Sequence, residues 1–438
     1  MRFVREGSPL GSRVARFWWV RRHRAAFGGE ALGRSARPGP AQRLLVDVSV
    51  IIRHDARTGI QRVVRAVWLE LQRLSGTKLQ VIPIFASQGH GYCYACAGFL
   101  NGHGSASAAA GAPTAAGQPV TAGPGDIFLG LDLTAHLLPK YTAQIASWRT
   151  AGASIHLVVY DLLPITHPDW FQGSTRRNMG RWLRSLVRYA DQALCISSDV
   201  AMQLQAWLDR HPRQAGGTPR IHTIRLGADL AATMPSTGLL PGAQAVLDRV
   251  EARPTVLMVG TIEPRKAYDV ALRAFEHLWR TRPTDAPRLI IVGKPGWKTA
   301  DLQARMRGHP ERGRRFEWLD DASDEFLERL YGSCRAMLMT SRGEGFGLPV
   351  VEATSHDMPV LVRDLPAFRE HGLPDAAYFD DDRPAALGDK LMALVSAPAK
   401  AAPSVSLPTW SDCVRDLLDA IGAPVPDTGK KAPAEAVA

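Results

Sequence analysis

Five cysteines in 438 residues, at 93, 96, 195, 334 and 413, are too few and too scattered to staple a fold, which points to a reducing compartment. No apolar run reaches the roughly 18 residues a membrane-spanning helix needs. The opening stretch MRFVREGSPLGSRVARFWWVRRHR lacks the apolar core and small-residue cleavage site of a secretory signal. Acidic residues are also short, 42 Asp+Glu against 53 Lys+Arg, for a formal net charge of +11. That shortage is local: residues 1–43 hold ten arginines and only two acids, Glu6 and Glu30. The rest of the chain is close to neutral, which argues against a nucleic-acid-binding body and leaves a basic leader suited to an anionic surface. Missing too are G-x-x-x-x-G-K-[ST], G-x-S-x-G and H-E-x-x-H, and Cys93-x-x-Cys96 has no second pair to complete a zinc site.

What is present is length and apolar content for two or three domains, with 45% hydrophobic residues excluding an extensively disordered chain. LLVDVSVII at 44–52 reads as a buried strand and 54–59 as a loop. A helix follows, with Ile60, Val63, Val64, Val67, Trp68, Leu71 and Leu74 at helical spacing. LQVIPIFA at 79–86 completes a βαβ unit, the element of a parallel, doubly wound sheet. Strand-like runs return at 126–132, 155–161, 193–197 and 221–229, and the Gly/Ala/Pro/Ser/Thr-rich tract 101–125 reads as a mobile surface insertion. The second half repeats the pattern, with strands at 254–260, 288–293, 316–320, 335–341 and 359–363. Two doubly wound halves imply a cleft between them, with ligands beyond the carboxyl ends of the strands.

Four loops point into that cleft. In TSRGEGFGLPVVEA, glycines 343, 345 and 347 permit close backbone approach, and the helix opened by Pro349 presents free amides to an anion or sugar. Glu344 in the loop and Glu352 about one turn into the helix face one pocket as hydroxyl acceptors, or are merely solvated; the pattern alone leaves both readings open. In VGTIEPRKAYDV, Arg265 and Lys266 sit where two cations and a helix start converge on a phosphate. In RTGIQR, Gly59 stands at a strand-to-helix turn with Arg62 one step on, but no full G-x-G-x-x-G or ribose carboxylate follows, which disfavours a nicotinamide enzyme. In YDLLPITHPDWF, Asp161 projects from a strand end or caps the next turn, and His167 lies in the same loop.

These residues resemble a known family. EGFGLPVVE and VGTIEPRKAYDVALRAFE, with IRLGAD before and LIIVGKPGWK after, are similar to the retaining family-4 glycosyltransferases, with Glu344 and Glu352 in that family's E-x7-E arrangement. TGIQRVVR, GDIFLGLD and YDLLPITHPDWF resemble a subgroup that builds bacterial polysaccharides, prominently mannosyltransferases. The resemblance implies an α/β GT-B fold: two Rossmann-like domains facing a cleft, and a C-terminal helix, TWSDCVRDLLDAI, that crosses back over the first domain. The expected division is a basic leader (1–43), an acceptor domain (44–238), a donor domain (239–405), the crossover helix (406–422) and a disordered tail (423–438).

The same resemblance implies the roles. Glu344 holds the donor sugar, Glu352 the ribose, and the amides of Phe346, Gly347 and Leu348 line the sugar and diphosphate beside Gly345. Lys266 with Arg265 neutralises the leaving diphosphate, Gly59 abuts the diphosphate or acceptor, and the base lies near 293–297 and 318–321. No metal or other cofactor is implied. The co-substrate is a nucleotide sugar, GDP-mannose first and a UDP-sugar second, and the acceptor a glycan or lipid-linked glycan. Two positions depart from the family: Thr261 replaces a common arginine and Tyr160 a common histidine. Those departures keep open a GT-B-like protein that binds a nucleotide sugar or glycan without transferring it. No nucleic-acid partner is expected. The expected location is cytoplasmic, with residues 1–43 touching an anionic membrane surface at its inner face.

Overall fold

The computed structural model describes residues 41–87, 89–96, 98–101, 117–212, 217–239, 241–373, 376–397 and 407–425. The expectations for the leader before residue 41, for most of the 101–125 tract and for the tail beyond 425 lie outside the described residues.

The first half alternates β1 (Gln42–Asp47), α1 (Gly59–Leu74), β2 (Leu79–Ser87), β3 (Gly91–Tyr94), β4 (Ile127–Gly130), α2 (Thr142–Thr150) and β5 (Ser154–Val159). It continues with a single turn α3 (Leu163–Thr166), α4 (Gly173–Tyr189), β6 (Gln192–Cys195), α5 (Ser198–Arg210) and β7 (Arg220–Thr223). The second half runs α6 (Ala243–Ala252), β8 (Thr255–Val259), α7 (Tyr268–Thr281), β9 (Arg288–Val292), α8 (Ala300–Arg307), β10 (Phe316–Leu319) and α9 (Asp324–Ser333). Then come β11 (Ala336–Met339), α10 (Leu348–Ser355), β12 (Val360–Arg363), the short α11 (Pro366–Arg369), β13 (Ala377–Phe379), α12 (Pro384–Ser396) and α13 (Trp410–Ile421).

The strands form a seven-stranded sheet in the order β3-β2-β1-β4-β5-β6-β7 and a six-stranded sheet in the order β10-β9-β8-β11-β12-β13. All pairs are parallel except β2 with β3. Strand order reverses between β1 and β4 and between β8 and β11, and the crevice at such a reversal is where a doubly wound sheet takes its ligand. The loops after these four strands are therefore the ones whose side chains matter.

Two strands, β1 and β7, end well before their apolar runs do. β1 ends at Asp47 because carboxylates capture the following amides: Ser49 N donates to Asp47, and Val50 N and Ile51 N donate to Asp132 Oδ2 at 2.7 and 2.8 Å. β7 ends at Thr223, and Gly227 then passes beneath α13, where a Cβ would lie 2.4 Å from the Trp410 nitrogen, so only glycine fits. The Trp410 amide and indole both donate to Asp229, at 2.9 and 3.1 Å, and Trp410, Cys413, Val414, Leu417, Leu418 and Ile421 belong to the core of the first half. The last described helix is thus packed into the first half of the chain.

Asp47 is fully buried, accepting from Ser49, from the Tyr92 hydroxyl at 2.9 Å and from Thr134 at 3.3 Å. Burial pushes its carboxyl from 3.8 up to about 7, and burial likewise pushes Asp132 up to about 6. A carboxyl whose folded pKa is raised contributes least where it must ionise, so stability is lost as pH climbs from 3.8 through these values. Asp47→Asn is therefore expected to raise the melting temperature more at pH 8 than at pH 5, by up to about 3 kcal/mol in folding free energy. Thermal melts at both pH values check this, and an equal shift at both would refute it.

Candidate active site

A cavity of about 1290 Å³ lies between the two halves, walled by the loops after β1, β4, β5, β8, β9, β10 and β11. At its floor stands Glu344, 7% exposed, in the loop after β11. Lys266 Nζ lies 2.6 Å from one of its oxygens and Arg265 Nη1 2.5 Å from the other, while Arg265 Nη2 holds Glu263 at 2.7 Å.

The backbone fixes this cluster. Ala267 adopts a left-handed conformation that ends the Pro264–Lys266 turn. Thr340 Oγ1 donates to the Lys266 carbonyl at 2.8 Å, and Arg342 N donates to the Arg265 carbonyl at 2.7 Å. The loops after β8 and β11, neighbours across the reversal in strand order, are thereby one rigid piece.

Burial alone would push the Glu344 carboxyl up, but Arg265 and Lys266 outweigh it and hold it at about 2. Burial pushes Lys266 below its ordinary range, Arg265 pushes the same way, and Glu344 opposes. The result is a buried cluster of two cations and two carboxylates, Glu344 and Glu263, whose formal charges balance.

Beyond Glu344 the chain turns into α10 through Gly347, whose φ of 90° is the left-handed conformation glycine favours. Phe346, Gly347 and Leu348 line the cavity at the start of α10, together with Gly345, Gly59 and Thr261. The loop leans on the first half: Ser197 Oγ donates to the Gly345 carbonyl at 2.6 Å, and a Cβ at Gly345 would lie 2.1 Å from the Tyr160 carbonyl. His371 Nε2, which must carry the proton because its partner is a carbonyl, donates to Phe346 O at 2.8 Å.

One turn into α10, Glu352 is buried. Its Oε2 accepts from the Tyr331 hydroxyl at 2.8 Å, and its Oε1 is bonded to Arg62, which reaches across from α1. The other Arg62 nitrogen meets Asp324 Oδ1 at 2.9 Å, and Asp324 Oδ2 receives Ser236 N at 2.8 Å and Arg57 at 3.2 Å. Arg62 thus bridges two carboxylates of the second half from a position in the first.

Glu344, Lys266, Arg265 and the 345–348 loop come together in the cavity wall, whereas Glu352, with Arg62 and Tyr331 on its two oxygens, and His167 are not part of that wall. Tyr160 lines the cavity as expected, and its hydroxyl donates to Leu131 O at 2.7 Å. His167 is exposed and stacks on Trp170, ring centroids 4.1 Å apart, and is not part of the cavity wall. Asp161 does both things expected of it: it lines the cavity and caps the next turn by accepting from Leu163 N at 3.0 Å. Burial raises its pKa and Arg265 counteracts. Sequence reasoning did not single out Glu263, Asp324 or Tyr331, and gave Arg62 no carboxylate partner. In the region expected for a base, Gly293, Lys294, Trp297, Leu319, Asp320 and Asp321 line the wall. Among the described residues no group of three His, Cys, Asp or Glu is placed to hold a metal ion.

Residues 253–397 match the family model described as Glycosyl transferases group 1. The chain is 39% identical over 356 residues to the serotype-specific mannosyltransferase WbdA of Escherichia coli, an alignment covering 81% of this chain and 41% of that protein. It therefore spans about two fifths of the length of the curated mannosyltransferases it matches. A D-inositol 3-phosphate glycosyltransferase of Nocardia farcinica is 34% identical over 185 residues, 42% of this chain and 39% of that one. Among solved structures, Anabaena Alr3699/HepE in complex with UDP and glucose superposes with a TM-score of 0.54 at 15% identity, over 86% of this chain and 95% of that one, which shows a shared fold. Residues 253–397 thus match the group 1 glycosyltransferases, and the two parallel sheets about a single cleft share the GT-B fold.

Proposed function

We propose that the protein is a retaining, metal-independent mannosyltransferase. It moves mannose from a nucleoside diphosphate sugar, GDP-mannose before a UDP-linked sugar, to a hydroxyl of a glycan or lipid-linked glycan. The observation that carries this reading is the buried Glu344 held between Lys266 and Arg265 at the strand-order reversal of the second sheet. Glu344 accepts hydroxyls of the donor sugar, while the two cations and the amides entering α10 face the diphosphate. As the glycosidic bond breaks, negative charge grows on the leaving diphosphate, so Lys266 and Arg265 stabilise the transition state more than the bound donor. Glu352 accepts the ribose hydroxyls with the two lone-pair positions that Arg62 and Tyr331 leave open. The named mannosyltransferase relatives support mannose as the sugar.

A panel of nucleotide sugars with a mannan-type acceptor tests the reading by release of nucleoside diphosphate, mass of the product and its anomeric configuration. Release from GDP-mannose with net retention is expected. The rate in EDTA is expected to match the untreated rate within about twofold, since Lys266 and Arg265 do the charge neutralisation a metal would otherwise supply. A loss restored by magnesium or manganese would overturn metal independence, and binding without release would leave a non-catalytic sugar-nucleotide protein.

The same reading places the enzyme in the cytoplasm, peripheral at the inner membrane face, with the arginines and aromatics of residues 1–43 on anionic lipid. No helix among the described residues is long and apolar enough to cross a membrane. Vesicle partitioning with and without residues 1–43 tests that contact.

A further inference from the structure

The loop that opens α10 is held by its carbonyls, and from both halves of the chain. Ser197 Oγ, in the first half, donates to the Gly345 carbonyl at 2.6 Å. His371 Nε2, in the second, donates to the Phe346 carbonyl at 2.8 Å. In a trans peptide the carbonyl and the next N–H point in opposite directions, and no peptide bond among the described residues is cis. Fixing these two carbonyls therefore fixes the amides of Phe346 and Gly347, which point away from Ser197 and His371. Neither amide donates to a group among the described residues, although Phe346 and Gly347 both line the cleft. Two free N–H groups of preset direction in a cavity wall are donors for an anion or a sugar oxygen.

The two holds are tied to each other. Ser197 is the N-cap of α5 and accepts from Val200 N at 3.1 Å. The first amides of that helix are taken by Glu370 of the second half. Ser198 N meets its two oxygens at 2.8 and 2.9 Å, and Asp199 N lies 3.4 Å from one of them. A carboxylate suits the positive end of a helix dipole, and this one comes from 172 residues along the chain. Glu370 and His371 are consecutive, so one short segment holds both α5 and the Phe346 carbonyl. The same segment backs the loop with Phe368, whose ring a Cβ at Gly347 would meet at 2.5 Å. Burial pushes the His371 pKa below 6.5, which keeps the ring neutral at pH 7 with its one proton on Nε2. Ser197, Glu370 and His371 do not line the cavity, so they act on a substrate only through the loop.

We propose that Ser197 and His371, joined through Glu370, are positioning residues that aim the Phe346 and Gly347 amides at the leaving diphosphate. This rests on the transferase reading and adds to it residues from outside the cavity. The amides bond more strongly as charge gathers on the diphosphate, so lost aim shows in turnover and in affinity for the released nucleotide. The test combines steady-state turnover of the full chain with calorimetric titration of GDP, UDP and the matching nucleosides. His371→Leu is expected to lower kcat by about ten- to a hundredfold, with the donor KM within about threefold. Affinity for the nucleoside diphosphate is expected to fall about tenfold and that for the nucleoside to stay within about twofold. His371→Gln, which keeps an N–H donor for the Phe346 carbonyl, is expected to restore most of both losses. Ser197→Ala is expected to repeat the leucine pattern and Ser197→Thr, which keeps the hydroxyl, to reverse it. A leucine variant with wild-type kcat and diphosphate affinity overturns the inference. Equal losses for diphosphate and nucleoside, or a glutamine variant no better than leucine, reduce His371 to a structural residue and overturn it as well. A wild type that binds neither diphosphate and turns over no donor instead sinks the transferase reading, and this inference with it.

Discussion

Lys266→Met is expected to lower kcat about a thousandfold while the KM for the donor changes only a few fold. The ammonium is buried, 2.6 Å from Glu344, and its backbone is fixed on both sides of the turn, so it needs no reorganisation when charge appears on the leaving diphosphate. An interaction that strengthens only as the bond breaks shows in kcat, and a loss confined to KM would assign Lys266 to ground-state binding instead.

The pH profile separates this role from a structural one. Burial, helped by Arg265, places the Lys266 pKa below its ordinary 10.5. Activity is therefore expected to fall on an alkaline limb below that value as the charge is lost. Stability moves the other way: a base whose folded pKa is depressed binds fewer protons folded than unfolded across that window, so the fold gains stability as pH rises through it. Opposite trends in rate and melting temperature over one pH interval are the expected signature. Lys266→Arg, which keeps the charge, should displace the limb upward. Glu344→Gln should lose activity by about a hundredfold or more and shift the limb downward, because Lys266 then keeps Arg265 as neighbour with only Glu263 left to oppose it. A limb that stays in place in both variants would exclude Lys266 as its source.

Much of this architecture is legible because it is local. Apolar runs of five or six residues followed by amphipathic helices report the parallel sheets, and the glycines at 345 and 347 report a loop pressed between backbone and helix start. The loop motif brings Glu344 to the cavity because it depends on one short segment, while Glu352, one turn into α10, is buried against Arg62 and Tyr331. What stayed hidden depends on residues far apart in sequence. Arg62 and Glu352 are separated by 290 positions, so the sequence shows an arginine in a helix and a glutamate in another, with nothing to join them. Tyr160 lines the cavity, but the bond of its hydroxyl to Leu131 O joins residues 29 positions apart and has no local pattern. His167 failed because a stacking partner three residues on, Trp170, holds it outside. β1 is shorter than the apolar run 44–52 because the final apolar residues sit in a turn whose amides belong to Asp47 and Asp132, a tertiary arrangement with no local pattern.

Arg62→Met is expected to raise the dissociation constant for nucleoside diphosphate by ten- to a hundredfold and to cost about 3 kcal/mol of stability. Both effects follow from one geometry. Burial disfavours the guanidinium's charge, but Glu352 and Asp324 overcome that cost and raise its pKa. Removing it leaves Glu352 with only the Tyr331 hydroxyl, an ionised group in a nearly closed pocket. A purely structural bridge and a residue that also aims Glu352 at the ribose predict the same loss of stability, so stability alone does not decide. The double variant Arg62→Met/Glu352→Gln does: it removes the more buried of the two charges that lose Arg62, Asp324 keeping Arg57 and Ser236, and should recover most of the stability, because a buried pair replaced on both sides is close to neutral. Donor affinity should not recover, since the ribose acceptor is then weakened as well as unaimed. Titration calorimetry with the nucleoside diphosphate, alongside thermal melts, reads the two quantities separately. Unchanged affinity in Arg62→Met would reduce the bridge to a fastening between the two halves. Weakened affinity, with the neutral double variant restored in stability alone, makes donor binding depend on an arginine from the opposite domain, so that the donor is held best when the two halves are together.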